Sequence, residues 1–340
     1  MALIRPRLTD HFGIDLTQEN ADFAIPFLDE DIPLYVDPFL LWKSPSLQEN
    51  ALYGTLSNSF NYLGYLANKG DLAKASDFLI AASECDEVGL GFSAHRRGLR
   101  IGADTAAQVL ALFRTIPQLA QHGFVHFEEI QLYVDQVATD RISDIACTLL
   151  KSFLIDYTID QCSRLGIPTA DGLVPHVYDV KRHLFSDERV SVPVNPVDQR
   201  PILLVPKRWL RKNTWINYDD YVATYYSSVI LKSPDARPER PQVLNFNRQN
   251  YDAVQVYVAA KERTQADCRN DPLFRQLPVD SATRKLAELK KLPTGTSDRA
   301  DKRYEELAAQ LMASLLYPHL DFAAEQSRTD SGVLIRDLVF

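Results

Sequence analysis

Asp337 is an acidic residue in a terminal segment that is otherwise rich in aliphatic residues. The segment reads "SGVLIRDLVF", and Ile335, Leu338 and Val339 flank the acid. A carboxylate in a buried strand costs free energy unless it is paired with a cation or bound to a metal ion. Buried acids of this kind are candidates for functional sites. The residue type and its position therefore make Asp337 a candidate metal ligand.

A second acid, Glu305, precedes this segment in a stretch with helical periodicity. Apolar residues recur there at three- and four-residue spacing, which predicts a helix over residues 301–317 with Glu305 on the flank of its apolar stripe. Pro318 is expected to end the helix, and Gly332 to make a turn before a strand over residues 333–340. The predicted order is an acidic helix, a turn and an acidic strand.

The dipeptide Tyr304–Glu305 and the strand "SGVLIRDLVF" resemble the opening of the core of PD-(D/E)XK nucleases of the restriction-endonuclease type. They are similar to Mrr-type and bacterial defence-associated members of that superfamily. Upstream, "DRISDIACTLL" and "RPILLVPKRW" also resemble parts of uncharacterised bacterial proteins that end in such a core. The resemblance implies that Asp337 and Glu305 are catalytic, that Asp337 binds Mg²⁺, and that activated water hydrolyses phosphodiesters.

The sequence departs from this family because no E-x-K element follows Asp337. The segments "ELK" at 288–290 and "DVK" at 179–181 both precede Asp337 and are in the wrong order. One carboxylate and a helix acid do not make a two-carboxylate Mg²⁺ site, so we expect the isolated chain not to hydrolyse nucleic acid. Three explanations are open. The chain is part of a longer nuclease polypeptide, or a second subunit or homo-oligomer completes the sheet, or the last strand pairs with an upstream strand such as residues 202–205 and the nuclease resemblance is accidental.

A glycine-rich segment, "GLGFSAHRRGLRIGAD", is a candidate phosphate-binding loop. Four of the thirteen glycines fall between Gly89 and Gly102, before a helix predicted from about Ala103. Glycines allow close approach to a ligand, and a helix N-terminus offers unpaired N–H groups. The cations that would bind phosphate are His95, Arg96, Arg97 and Arg100. The alternative is a surface loop with solvated arginines.

A second basic segment, "RPILLVPKRWLRK", follows a run that reads as a buried strand, residues 202–205. Its cations are Lys207, Arg208, Arg211 and Lys212. Trp209 lies among them, and an aromatic ring in a basic cluster can stack on a base while the cations bind phosphates. The segment is therefore a candidate nucleic-acid contact, and the alternative is a solvated strand end.

Two other pairs of residues have a spacing that would allow them to bind a metal ion together. Asp140 and Asp144 lie four residues apart, and so do His122 and His126. Acids in the first turn of a helix more often serve the helix dipole, and the histidines are separated by a glycine with no third ligand nearby. Both pairs are better explained without a metal.

The elements predict a predominantly helical α+β fold, with short strands in a helical amino-terminal region and then the start of an α/β nuclease-like core. Residues 1–235, which begin with an acidic stretch, are expected to form a recognition or regulatory region. Residues 236–340 are expected to form a helical segment that leads into the partial core. Further predicted helices cover 46–69, 72–82, 103–113, 139–166, 218–231 and 251–269, with an irregular excursion over 168–200.

Composition is that of a globular protein, with 46% hydrophobic residues and a net charge of −8 in 340 residues. Residues 1–90 carry 14 acids and 5 bases, whereas the rest carries 31 acids and 32 bases. This asymmetry leaves nucleic acid open as a partner of the neutral part. The sequence has no apolar run that could cross a membrane, and four scattered cysteines predict buried thiols in a cytoplasmic protein.

We therefore expect the amino-terminal recognition or regulatory part of a bacterial, anti-phage type nuclease that uses Mg²⁺ once its core is completed. Nucleic acid is the expected partner. One alternative is a non-catalytic binding or scaffold protein, in which Asp337 is a solubilising charge on an edge strand. The other is a nucleotide-sensing module that uses residues 89–102.

Overall fold

The computed structural model describes residues 7–18, 20–44, 46–91, 100–263, 282–283, 285–294, 299–316, 324–328 and 335–339. Its α-helices are α1 Leu8–Phe12, α2 Pro38–Trp42, α3 Leu47–Lys69, α4 Leu72–Ala82, α5 Ala103–Thr115, α6 Pro117–His122, α7 Thr139–Leu149, α8 Lys151–Leu165, α9 Tyr218–Asp220, α10 Arg240–Gln249, α11 Tyr251–Arg263 and α12 Ala300–Leu316. Short 3₁₀ turns cover Asp86–Val88, Phe127–Leu132 and Lys207–Trp209, and a π-helix covers Tyr221–Ile230. The strands are β1 Tyr35–Val36, β2 Ala170–Asp179, β3 Leu184–Val192, β4 Leu210–Arg211, β5 Ala324–Arg328 and β6 Ile335–Val339.

The predicted fold class, a predominantly helical α+β fold, is confirmed. The described strands form three antiparallel pairs, β1 with β4, β2 with β3 and β5 with β6. Among the described helices, none is both long and apolar enough to span a membrane.

Helices α3 and α5 form where apolar residues recur with helical periodicity, and α3 ends at a glycine. Ser46 caps α3 by accepting a hydrogen bond from the N–H of Glu49, and Gly70 ends it in the left-handed conformation. Helix α5 packs closely on α3, because a Cβ built on Gly64 would lie 2.6 Å from the Phe113 ring. Glycine at this position therefore permits the close approach of the two helices.

The stretch predicted as one helix over 139–166 forms two helices, α7 and α8, which meet at Leu150. That residue leaves helical geometry at φ −100° and ψ 10°. Ser143 is buried within α7, and its hydroxyl accepts a hydrogen bond from the N–H of Val36. Helix α7 thereby fixes β1, the strand that leads to Asp37.

The predicted excursion after α8 is instead an antiparallel hairpin of β2 and β3. A bulge between Val174 and Val177 shifts its register. The next run, residues 202–205, is buried as predicted but does not form a strand. Its backbone is bonded to other groups, for example from the Leu204 N–H to the Thr158 hydroxyl at 2.8 Å. The last strand does pair with an upstream strand, as one of the alternatives predicted, but its partner is β5 and not the run 202–205.

The main core extends across the predicted boundary at residue 235. The cluster that contains Phe60 and Leu63 of α3 also contains Val243 of α10 and Val254 of α11. In addition, the side-chain amide of Asn247 donates to the carbonyl oxygen of Leu132 at 2.7 Å. Helices α10 and α11 are thus packed on the amino-terminal region, and they supply part of the site.

Candidate functional site

The structure places the two predicted catalytic acids in α12 and β6, with β5 between them along the chain. Glu305 is exposed on α12. Asp337 is the third of five residues in β6, which forms an antiparallel hairpin with β5. The sequence predicts no strand over Ala324–Arg328, the residues that form β5. The side chain of Asp337 and the turn at Gly332 lie outside the described residues, so the predicted pairing of the two carboxylates stays a prediction.

The glycine-rich loop is described only at its two ends. His95, Arg96 and Arg97 lie outside the described residues. Arg100 is exposed, and its guanidinium forms an ion pair with Glu84. Helix α5 begins at Ala103 as expected, after a residue that supplies no side-chain cap.

The second basic segment forms the 3₁₀ turn 207–209 and β4. Trp209 is buried, and its indole N–H donates to Glu49 Oε1 at 2.8 Å. The same carboxylate binds Arg208. Burial alone would raise the pKa of Glu49, but hydrogen bonds from Ser44, Trp209 and Arg208 outweigh burial and lower that pKa. Trp209 therefore supports the segment from inside and is not placed to stack on a base.

Two further cations join this segment from distant parts of the chain. The Arg211 guanidinium lies 4.7 Å from the centre of the Trp215 ring, and Lys261 Nζ lies 4.1 Å from the same ring. Lys43 Nζ lies 4.4 Å from the centre of the Trp42 ring. Cations over tryptophan faces are held by attraction to the ring. We define the basic surface as Lys43, Lys207, Arg208, Arg211, Lys212 and Lys261.

Two hydrogen bonds to the last turn of α11 connect separate parts of the basic surface. Lys43 donates a hydrogen bond to the carbonyl oxygen of Glu262. The Trp215 indole donates to the carbonyl oxygen of Lys261 at 3.2 Å. Both acceptors belong to the last turn of α11, so α2 and the chain after β4 meet there. These contacts bring Lys43, Arg211 and Lys261 together. The other three cations of the basic surface adjoin Arg211 along the chain.

At two points of the basic surface, the acid of an ion pair lies beneath its cation. Arg208 is 46% exposed and its partner Glu49 only 5%, while Arg211 is 22% exposed and its partner Asp37 is fully buried. Lys261 shows the opposite order with Asp220. At Arg208 and Arg211 the protein thus presents positive charge outward and keeps the compensating charge inside.

Beneath the basic surface lies a group of buried titratable residues that we call the acid–histidine core. Its members are Asp37, His126, Glu128 and Glu129, all with no exposed surface. Asp37 caps α2 by accepting from the N–H of Phe39, and it also accepts from the N–H of Trp215 at 3.0 Å. The other three come from the segment "HFEE" at the start of the 3₁₀ turn 127–132.

His126 is held through both ring nitrogens. Its Nδ1 lies 2.6 Å from the Tyr53 hydroxyl, and its Nε2 lies 3.0 Å from Glu262 Oε1. Burial lowers the pKa of His126. The Tyr53 hydroxyl also lies 2.9 Å from the carbonyl oxygen of Val125, so its single proton is shared between that oxygen and His126 Nδ1. The ring is packed against Phe39 and Trp42, so it is part of the wall beneath the surface.

Glu128 is the least satisfied group of this core. Within the described part of the chain, neither of its carboxylate oxygens has a hydrogen-bond partner, and His126 Nδ1 lies 3.8 Å from Oε1. Burial, and then the charge of Asp37, raise the pKa of Glu128 well above its usual value. The Glu128 carboxyl therefore keeps its proton to a higher pH than an exposed glutamate does.

Asp37 and Glu129 hold protons more tightly than exposed acids do. Burial raises the pKa of Asp37 to about 7, although Arg211 and the backbone N–H groups oppose the shift. Burial likewise raises the pKa of Glu129 to about 7, and the Gln255 amide, 2.6 Å away, opposes it. The core can therefore take up and release protons near neutral pH. Among the described residues, no group of three or more metal-ligating side chains is arranged to bind a metal ion.

The other predicted pairs do not converge on a ligand. His122 is exposed, His126 is buried, and Gly123 between them has a φ of 72° that ends α6. Asp140 pairs with Arg141 at 2.8 Å. The acid–histidine core is not predicted from the sequence, although "HFEE" places three titratable residues in one short apolar segment. Lys43 and Lys261 are not predicted as site residues either, because both are far from Arg211 in the sequence.

Three comparisons with known proteins were made. Residues 13–217 match a protein-family model described as "Domain of unknown function (DUF8370)". The comparison with curated proteins gave no match. The comparison with solved structures gave none either.

Proposed function

The chain belongs to the DUF8370 family, and from this premise we propose that it is the recognition or regulatory part of a bacterial, anti-phage type nuclease that uses Mg²⁺. The family match includes residues 89–102 and most of the basic surface but ends before Glu305 and Asp337. In this proposal the family domain binds nucleic acid, and the segment after it contributes to hydrolysis.

The observation that carries the proposal is the outward position of Arg208 and Arg211 above buried carboxylates. Phosphate contacts dominate the affinity of proteins for nucleic acid, and arginine suits them because its guanidinium donates in a fork. The ion pair with Glu49 already fixes the Arg208 side chain, so less conformational entropy is lost when it binds.

The catalytic half of the proposal is supported by the order of elements. Helix α12 with Glu305 is followed by the β5–β6 hairpin with Asp337, in the order that the nuclease resemblance implies. Carboxylate oxygens are the ligands that Mg²⁺ prefers. Asp337 would bind the ion together with groups from further chain or from a partner subunit. The buried free thiols Cys85, Cys147 and Cys162 support a cytoplasmic location.

Neutralising two cations of the basic surface is expected to weaken nucleic-acid binding. In the variant Arg208→Gln/Lys212→Gln, affinity should fall about tenfold, and the slope of log K against log salt should decrease by about 2, because each lost phosphate contact removes about one unit. Fluorescence anisotropy with labelled DNA and RNA oligonucleotides over a salt series measures both quantities.

The matched control is Lys181→Gln/Arg182→Gln, which removes two exposed cations from the turn between β2 and β3. Its salt slope should equal that of the wild-type protein. Equal slopes for all three proteins would exclude the basic surface as the binding site. Absence of binding by the wild-type protein at low salt would instead favour the scaffold alternative.

Asp337→Ala is expected to abolish Mg²⁺-dependent nicking of plasmid DNA by the natural polypeptide or complex that contains the completed core. Loss of a direct metal ligand should reduce the rate at least about a hundredfold, since even changes behind the ligands reduce metal binding or activity by about 10- to 100-fold. Asp301→Asn, at the exposed start of α12, is the control and should leave the rate unchanged. Unchanged nicking by Asp337→Ala would remove the catalytic half of the proposal.

A further inference from the structure

We infer that Asp37 and Arg211 form a proton-controlled phosphate contact within the basic surface. The ionised carboxylate holds the guanidinium against the protein, and the protonated one releases it to a phosphate of bound nucleic acid. This inference rests on the proposed function and adds the regulation of the same site.

The contact between the two groups is close enough for attraction but not for a hydrogen bond. Arg211 Nε lies 3.7 Å from Asp37 Oδ2, beyond hydrogen-bond range. Asp37 cannot move outward easily, because its two oxygens accept from the N–H groups of Phe39 and Trp215. Arg211 is the mobile partner, since it is partly exposed and supported by the Trp215 ring.

Strand pairing places the two residues side by side. Tyr35 and Val36 of β1 pair with Arg211 and Leu210 of β4, and Asp37 follows directly after β1. The backbone N–H of Asp37 also donates to the carbonyl oxygen of Trp209 at 2.8 Å. The backbone around the contact is therefore fixed, so a change in charge acts on the Arg211 side chain.

The charges that face Asp37 come from three elements. Arg211 faces it from β4, Lys261 from α11, and Glu128 from the 3₁₀ turn 127–132. The two cations favour an ionised Asp37, whereas burial opposes it more strongly. Because Glu128 is buried without a hydrogen-bond partner in the described part of the chain, it does not compensate for a charge on Asp37.

The balance of these effects sets the pH range over which the charge of Asp37 changes. Burial raises the pKa of Asp37 to about 7, so its charge changes between about pH 6 and pH 8. A phosphate that attracts Arg211 favours protonated Asp37, because the carboxylate and the phosphate compete for one guanidinium. By linkage, binding then takes up a proton, and affinity rises as the pH falls through 7.

The experiment is fluorescence anisotropy with labelled DNA and RNA oligonucleotides at constant ionic strength from pH 6 to pH 8. Wild-type affinity should be about fivefold higher at pH 6 than at pH 8, at the lower end of usual coupling strengths. Asp37→Asn should bind at all pH values as tightly as the wild-type protein does at pH 6. Asparagine is an equally good helix cap, so α2 is retained.

Arg211→Gln provides a second measurement that does not depend on the folding of the Asp37 variant. It should bind more weakly and lose the pH dependence, whereas Glu128→Gln should keep it. Equal pH dependence in wild-type protein and Arg211→Gln would overturn the inference, and so would a pH-dependent Asp37→Asn. Salt-dependent binding that does not vary with pH would leave the proposed function intact. Lack of binding at every pH would remove both.

Discussion

Glu128→Gln is expected to stabilise the protein at pH 8 and to leave its stability at pH 5 nearly unchanged. Glu128 has no exposed surface, and within the described residues its carboxylate oxygens have no hydrogen-bond partner. Burial raises the pKa of this carboxyl well above its usual value. Glutamine has the same shape as the protonated acid, so it fits the site without the tendency to ionise.

The direction follows from proton linkage. The folded state keeps the proton of Glu128 at pH values where the unfolded chain releases it, so unfolding is favoured as the pH rises above the usual value of 4.5. The wild-type protein therefore loses about 1.4 kcal/mol per pH unit in that range relative to the variant. We therefore expect the stability advantage of Glu128→Gln to grow as the pH rises from 5 to 8.

Urea denaturation at pH 5 and at pH 8 measures the two free energies of unfolding. Glu188→Gln, which changes an exposed glutamate on β3, is the control and should have no effect at either pH. If Glu128→Gln shifts stability equally at both pH values, or destabilises at pH 8, the carboxyl is ionised in the native protein. In that case a bound cation or water would have to compensate for its charge.

Lys151→Met is expected to destabilise the protein by about 3–5 kcal/mol, because it removes one partner of a buried ion pair. Lys151 is 1% exposed, and its Nζ donates to Glu87 Oε2 at 3.1 Å and to the carbonyl oxygen of Pro175 at 2.9 Å. Burial alone would lower the pKa of Lys151, but Cys85 and Glu87 outweigh burial and raise it. The variant leaves the carboxylate of Glu87 buried without its cation.

The double variant Lys151→Met/Glu87→Leu separates charge from packing. If the loss comes from the orphaned carboxylate, the double variant should recover most of the stability, since buried pairs can often be replaced by apolar residues. Lys181→Met at the exposed hairpin turn is the control for the substitution itself. Denaturant unfolding at pH 7 gives all four values. Equal stability of Lys151→Met and wild-type protein would contradict the burial of this pair.

The parts of the fold that could be predicted are those with strong local signals. Helices α3, α4 and α5 were expected from apolar periodicity, and Gly70 correctly marked a helix end. The break at Leu150 has no local signal, because no glycine or proline stands there. The β2–β3 hairpin was missed because its residues are mostly exposed, which weakens the alternation that predicts strands.

The candidate site was predictable only where its residues are neighbours in the sequence. Arg208 and Arg211 were found as a basic run, but composition does not distinguish an exposed tryptophan from a buried one, and Trp209 is buried. Lys43 and Lys261 reach the site only through tertiary packing. The same is true of the contact between Asp37 and Arg211, which depends on the pairing of β1 with β4.

The two hydrogen bonds at the end of α11 have a mechanical consequence. The carbonyl oxygens of Lys261 and Glu262 accept from Trp215 and Lys43, so the final turn of this helix is anchored from two sides. A ligand that pulls Lys43 or Lys261 outward must strain both anchors together. The last turn of α11 is therefore held in place at the point where the helix reaches the basic surface.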